Sequence, residues 1–510
     1  MAEKSVVPQT IGPKSKQKPL GTYIVLLVIG LFIDFGLGLI IPPFGGITQV
    51  GVQIICLFIG TLYFISTGFG LIVASIFGMI GIVFTGYTNP AGIVSGTFGS
   101  VSLIQLFFVY VLCGAIRKTG AGAVMARWML TRKFINGKPV IFCIVFFEAV
   151  SLFACLCGAS GAVLFFFTIV DSICEALDYD DKSQFKRVMI TGAYIAAALG
   201  SPTLPFKGTG LMIFGLVVKG LETAGLSINY ASYILACLIN QLVFAFILGL
   251  LLKPVFRVDI SKLKGADIVA IISDGPVKMN KQQAWCFWGF IVANLYSIVL
   301  LIDPIKAWFG KNFKFFNDLG QCFVFLLWIA ILSLIRDEGK PLIVPGQMFR
   351  ESIMWDVIFP YCAFTTLGGA LSSTGENGLG IRAALERVLA PVMEGMPFLV
   401  FVLILIALTY IITNFFSNTA TGLIMAALAA PYIVTYTQTA DINPNMVGAS
   451  ICVACSVAYL TPGAGNVSAV YHGQACIDND KKWVWTWGLA MGVLFIVVAW
   501  VIFGVLATVF

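Results

Sequence analysis

The sequence predicts an all-α polytopic membrane protein, with about 11 transmembrane helices plus two re-entrant helical hairpins. Three observations lead there. The 510 residues are 59% hydrophobic and 11% charged, with a mean hydropathy of +0.97, whereas a soluble domain carries about 25% charged residues. Apolar runs of membrane-spanning length recur along the chain. Two runs are too long for one crossing and hold a polar knot at mid-length: "CLCGASGAV" within 138–178 and "ITNFFSNTATG" within 397–436.

Taken in order, residues 1–20 form a polar, basic tail that faces the cytoplasm. No small-residue cleavage site follows the first apolar run, so no cleavable signal peptide is expected. Spans are expected at 21–41, 52–67, 69–86 and 101–116, and 117–137 connects to the first overlong run. The first hairpin occupies 138–178, and a Pro-broken span, "LGSPTLPFKGTG", interrupts 187–221. A plain span covers 231–252, and 253–282 reads as a cytoplasmic linker. Further spans fall at 283–302, 320–335 and 354–373, and 336–352 reads as a surface segment. The second hairpin occupies 397–436, a second broken span covers 446–475 with "LTPGAGN" at its break, and a last span runs 484–508.

Counting Lys and Arg gives the orientation. With the N-terminus inside and each overlong run entering and leaving on one side, 24 cationic residues face inside, 6 face outside, and Lys207 lies within a span. That bias obeys the positive-inside rule, although three lysines in 303–319 run against it. It also accounts for the net charge of +7 without nucleic acid. The C-terminus is then outside, and the chain is a multi-pass protein of the cell (inner) membrane.

The layout repeats. "LCGAIRKTG" (112–120) resembles "LGGALSSTG" (367–375), and each is followed by a hairpin, a Pro-broken span and a final span. The first hairpin opens inside and the second outside. An inverted-topology repeat of this kind marks secondary transporters. Backbone that is not helical at membrane depth persists only where it is buried in protein or lines a cavity. Half-helix ends at such a place offer amides to an anion and carbonyls to a cation. The competing reading is a packing kink, because Gly, Ser and Thr also let helices approach closely. Two inverted copies favour a binding site.

The knots and breaks resemble those of the divalent anion/sodium symporter family within the ion transporter superfamily. The resemblance rests on Ser417-Asn418-Thr419 at the second tip and on Leu460 to Asn466 at the second break, and the layout covers the chain from about residue 52 onward. The first tip departs: Ala159, Ser160 and Gly161 stand where a Ser-Asn-Thr signature would. The resemblance implies an elevator-type carrier, a homodimer in the bilayer, that moves a small carboxylate anion such as a C4-dicarboxylate, with Na+ as coupling ion in most members and anion exchange in others. Substrate contacts are expected at Ser160, Gly161, Thr203, Lys207, Asn418, Thr419 and Pro462, and a cation at Thr413, Phe416, Asn418 and the backbone near Ala464.

Ionisable residues at membrane depth are functional by default. Lys207 has four readings: a substrate partner, a built-in cation replacing sodium, an ion pair with Glu148 or Asp171, or a side chain snorkelling to the interface. Glu148 is a proton carrier or charge partner, and Asp171 a charge partner. Asp34 reads as a scaffold residue with a local partner, and His472 as an interfacial, satisfied histidine, with a proton carrier as the competing reading. The Cys155/Cys157 and Cys452/Cys455 spacings read as packing residues, because one histidine cannot complete a metal set. No resident cofactor is expected. The alternatives are a sodium-independent anion exchanger or a proton-coupled carboxylate carrier and, from other classes, a passive anion channel and an intramembrane enzyme; for the last no nucleophile–base or metal set is recognisable in the sequence.

Overall fold

The structure is a computed structural model. It describes residues 19–509 except 136, 206–207, 227–228, 267–270, 272–275, 300–302, 354, 372, 374–377, 385–386, 388–394, 417, 465 and 478–479. Lys207 and Ser417 therefore lie outside the described residues.

Helix starts follow the capping residues. Helix α1 (Leu20–Ile40) contains a π turn at Phe32–Leu37. Helix α2 (Gln49–Ser66) is capped by Thr48, which accepts from the Gly51 amide, and α3 is Leu71–Phe84. Ser100 caps α4 (Val101–Thr119). Gly120, at φ 72°, ends α4 in the left-handed region and starts α5 (Ala121–Leu130), with a bend of 63° between them.

The first overlong run is broken at mid-length. Helices α6 (Pro139–Cys157) and α7 (Ala159–Ala176) meet at Gly158, whose φ of 88° suits glycine alone. Ser183 caps α8 (Gln184–Gly200), which passes into a 3₁₀ turn at Ser201–Thr203 before α9 (Gly208–Thr223). Asn229 caps α10 (Tyr230–Leu251). The second half supplies α11 (Lys281–Val299), α12 (Lys314–Leu334), α13 (Trp355–Leu371) and the second hairpin, α14 (Phe398–Thr413) with α15 (Asn418–Ala440). Then come α16 (Pro444–Ser456), a 3₁₀ turn at Pro462–Ala464, α17 (Asn466–His472) and α18 (Leu489–Val509).

Among the described residues, six helices are long and apolar enough to cross a bilayer, or seven if the bent α4–α5 pair is one span. Three of the six are hairpin arms, and shorter apolar helices lie in the other expected spans or arms. The surface segment departs from an all-α reading. Arg336–Asp337 pairs antiparallel with Lys340–Pro341, because Glu338 and Gly339 both take positive φ, as a tight hairpin turn requires.

Packing brings the two halves together. Hairpin arm α6 lies on α8 and α10, and hairpin arm α14 lies on α16 and α18. The first break packs on α16, while α17, beyond the second break, packs on α7 and α8. Inter-element ion pairs are Lys118–Glu351, Lys186–Asp171, Lys186–Asp181, Arg187–Asp480 and Lys281–Asp337. Leu379 also contacts Thr48, Arg387 contacts Gly45 and Asn229 contacts Asn445.

Candidate functional site at the second tip and the two breaks

Helix α14 ends at Thr413, and the next residue holds the site together. Asn414 is fully buried. Its Oδ1 accepts from the amides of Tyr459 (2.9 Å) and Leu460 (2.8 Å) in the second break. Its Nδ2 donates to the carbonyls of Tyr410 (2.8 Å) and Val457 (3.4 Å). The Thr461 hydroxyl donates back to the Asn414 carbonyl. One side chain thus satisfies backbone that the break has stripped of helical partners, in a medium that offers no water.

Thr413 sits beside this clamp. Its hydroxyl donates to the Cys455 carbonyl at 2.7 Å and lies 3.2 Å from Asn418 Oδ1, with the amide oriented oxygen-first. A hydroxyl has one hydrogen, so three neutral oxygens share it. A hard monovalent cation would complete such a set. Of the other two residues expected at a cation, Ala464 is buried in the turn that Thr461 anchors, and its amide donates to the Thr461 carbonyl at 3.3 Å. Phe416 lies on the tip with its ring exposed, while neighbouring Phe415 packs its ring 6.1 Å from Trp485.

Thr419 is buried one residue into α15. Thr421 is buried too, with a hydroxyl that has no hydrogen-bond partner among the described residues. Pro462 is exposed and lines a cavity of about 560 Å³, together with Thr461, His472, Asp480, Lys481 and Trp485. The His472 Nε2 is 2.8 Å from the Tyr459 carbonyl, so that nitrogen carries the proton. Tyr194 of α8 donates to the Ala458 carbonyl at 2.6 Å, which ties the second break to the first broken span.

The first break is built differently. Thr203 is fully buried, and its hydroxyl is 3.2 Å from both the Leu199 carbonyl and Gln241 Oε1. Tyr233 donates to the Pro202 carbonyl at 2.8 Å, and Ser151 to the Ala196 carbonyl at 3.0 Å. The break is held by α10 and an arm of α6, not by the hairpin tip. Ser160 and Gly161 are exposed at that tip.

Glu148 is half-buried, and its Oε2 has no partner among the described residues. Asp171 pairs with Lys186 at 2.8 Å. Asp34 corrects an expectation: both its carboxylate oxygens are buried without a partner among the described residues, against Gly60 of α2. Outside the spans, the Trp483 amide and the Arg187 guanidinium hold the Asp480 carboxyl below its ordinary value. No group of three or more His, Cys, Asp or Glu suited to a metal occurs among the described residues.

A family model, Citrate transporter (CitMHS), matches residues 61–454. The chain belongs to the citrate transporter family. That family lies in the ion transporter superfamily anticipated from the second tip and break, and it is a family of transporters, not enzymes. This citrate transporter family member is 21% identical, over 309 residues, to the "Sodium-dependent dicarboxylate transporter SdcS" of Staphylococcus saprophyticus. The match covers 59% of this chain and 55% of that protein, so the chain spans about half the length of this curated relative. Two solved structures share its fold. The YdaH transporter of Alcanivorax borkumensis matches with a TM-score of 0.54 at 13% identity, over 81% of this chain and 87% of that one. MtrF of Neisseria gonorrhoeae matches with a TM-score of 0.54 at 14% identity, over 95% and 98%.

Sequence reasoning gave roles to Thr413, Asn418, Ala464 and Thr203; it saw Asn414 as part of the polar knot without giving it a role, and passed over Gln241 and Tyr233. For Asn414 the clue was an amide next to a residue already chosen. For Gln241 it was the adjacent pair Asn240–Gln241 inside an apolar span, where polar side chains are costly.

Proposed function

We propose that this citrate transporter family member is a secondary-active carrier of small carboxylate anions, C4-dicarboxylates or related di- and tricarboxylates, coupled to a cation by an elevator movement. The observation that carries the reading is the convergence of Thr413, Asn418 and the Cys455 carbonyl, on a tip that Asn414 fastens to the second break. Family membership and the sodium dependence in the name of the relative SdcS support the cation and the substrate class.

In this reading Na+ sits among Thr413, Asn418 and the backbone of Phe416 and Ala464. The anion is contacted by Asn418, Thr419 and Pro462, together with Ser160, Gly161, Thr203 and Lys207. The hairpins, broken spans, α10 and α18 travel together, and the remaining helices form the scaffold of a homodimer. The N-terminus is cytoplasmic and the C-terminus outside. A second reading, sodium-independent exchange, is favoured by one observation: the first break is fastened by Gln241 and Tyr233, so the first tip is not needed to hold it.

The test is uptake of labelled citrate and C4-dicarboxylate into proteoliposomes under imposed sodium, proton or counter-anion gradients. Saturable uptake driven by sodium supports the first reading, and sodium-independent counterflow the second. Unsaturable conductance in planar bilayers would overturn both.

A further inference from the structure

We infer that an anionic phospholipid binds between the connector α5, the hairpin arm α6 and the helix α11. A cavity of about 580 Å³ opens there, walled by Val124 and Trp128 of α5, Leu152 of α6, Met279 before α11, and Trp288 of α11. Among the described residues, Lys278 is the one charged residue in its lining. Leu152 lies 13 residues into α6, about 20 Å along that helix at 1.5 Å per residue. Trp288 lies seven residues into α11, about 10 Å. The cavity thus runs from a cationic mouth toward the membrane interior.

In water an apolar void of this size would be costly, but the solvent here is lipid, and an acyl chain fills such a space without desolvating anything. Trp128 is exposed, as an amphipathic ring at the headgroup level is. A second cation sits on the Trp128 wall: the Arg132 guanidinium stacks 4.1 Å from the ring of Trp128, which lines the cavity with Lys278. Basic pockets between helices near a membrane surface favour anionic headgroups over zwitterionic ones. Charge complementarity therefore selects phosphatidylglycerol or a related anionic lipid, with its tail against Leu152 and its phosphate near Lys278. The walls belong to parts that, on the carrier reading above, move past one another. The lipid then stabilises the conformation described here.

The binding test does not depend on transport. The full chain would be purified, reconstituted with phosphatidylcholine alone or with phosphatidylglycerol added, and its retained lipid and thermal unfolding measured. Wild type should retain one phosphatidylglycerol per chain and unfold at a higher temperature with it. Lys278→Gln should weaken retention about fivefold, the effect of one unit charge at such a surface, and Lys278→Glu more. Lys264→Glu, which lines a different recess, should leave retention unchanged. Equal retention of phosphatidylcholine, or unaltered retention in both Lys278 variants, would overturn the inference. Uptake that fails while lipid retention behaves as stated would overturn the carrier reading and leave the lipid site standing.

Discussion

The Tyr459 amide donates to Asn414 Oδ1 at 2.9 Å across 45 residues of sequence. That bond, with its neighbour from Leu460, makes the second hairpin tip and the second break one object. On the carrier reading proposed above, a cation held at this tip would shift together with the break, and with Pro462 and Ala464, which is a physical route to coupled binding of cation and anion.

Asn414→Ala should strip two buried amides of their acceptor, at about 1–3 kcal/mol for each group left unsatisfied. Asn414→Asp keeps the acceptor but faces the Tyr410 and Val457 carbonyls with another oxygen, so it should not rescue. Thermal unfolding of both variants in one detergent checks this. Wild-type stability in either would contradict the clamp.

Glycine positions give a paired prediction. A Cβ added at Gly200 would lie 2.0 Å from the Ser151 carbonyl oxygen, so Gly200→Ala should force α8 off α6 and cost about 1–3 kcal/mol or more. A Cβ added at Gly161 meets nothing nearer than 3.8 Å. Gly161→Asn should fold with wild-type stability, which makes the first tip open to redesign. Yield and unfolding temperature of the two proteins decide it.

Acid should loosen the contact between the start of α8 and the segment that precedes α18. The folded-state pKa of Asp480 is lowered, first by the Trp483 amide and then by Arg187, whose Nη2 is 2.8 Å from the carboxylate. A lowered value means stabilisation that is present above the ordinary carboxylate pKa of about 3.9 and lost as pH falls through the lowered one. Asp480→Asn should lower stability at neutral pH and flatten its dependence below about pH 4. Unfolding curves between neutral and acidic pH test the sign; a steeper acid dependence in the variant would refute it.

The hairpins and breaks were legible because a polar knot in a greasy run has few explanations at membrane depth. The split at Gly158, the break at Ser201–Thr203 and the turn at Pro462–Ala464 all fall inside the expected segments. What fastens them was not legible. Asn414 and Asn418 look alike in sequence, yet one is a buried clamp and the other faces Thr413. Arg187 and Asp480 are 293 positions apart, and nothing local announces their pairing. Asp34 looked like half of a pair, but packing against Gly60 required only a small neighbour. The short ribbon at 336–341 escaped an all-helical reading because two positive-φ residues decide it, not hydropathy.

The most direct measurement is the sodium dependence of labelled C4-dicarboxylate and citrate uptake in proteoliposomes, for wild type, Thr413→Val and Thr413→Ser. Valine keeps the shape and removes the oxygen; serine keeps the oxygen. The account predicts that Thr413→Val raises the sodium concentration for half-maximal uptake at least about tenfold, the loss typical of disturbing even the outer partners of a metal site, and that Thr413→Ser largely restores it. Uptake by Thr413→Val with unchanged sodium dependence would contradict a cation at the second tip.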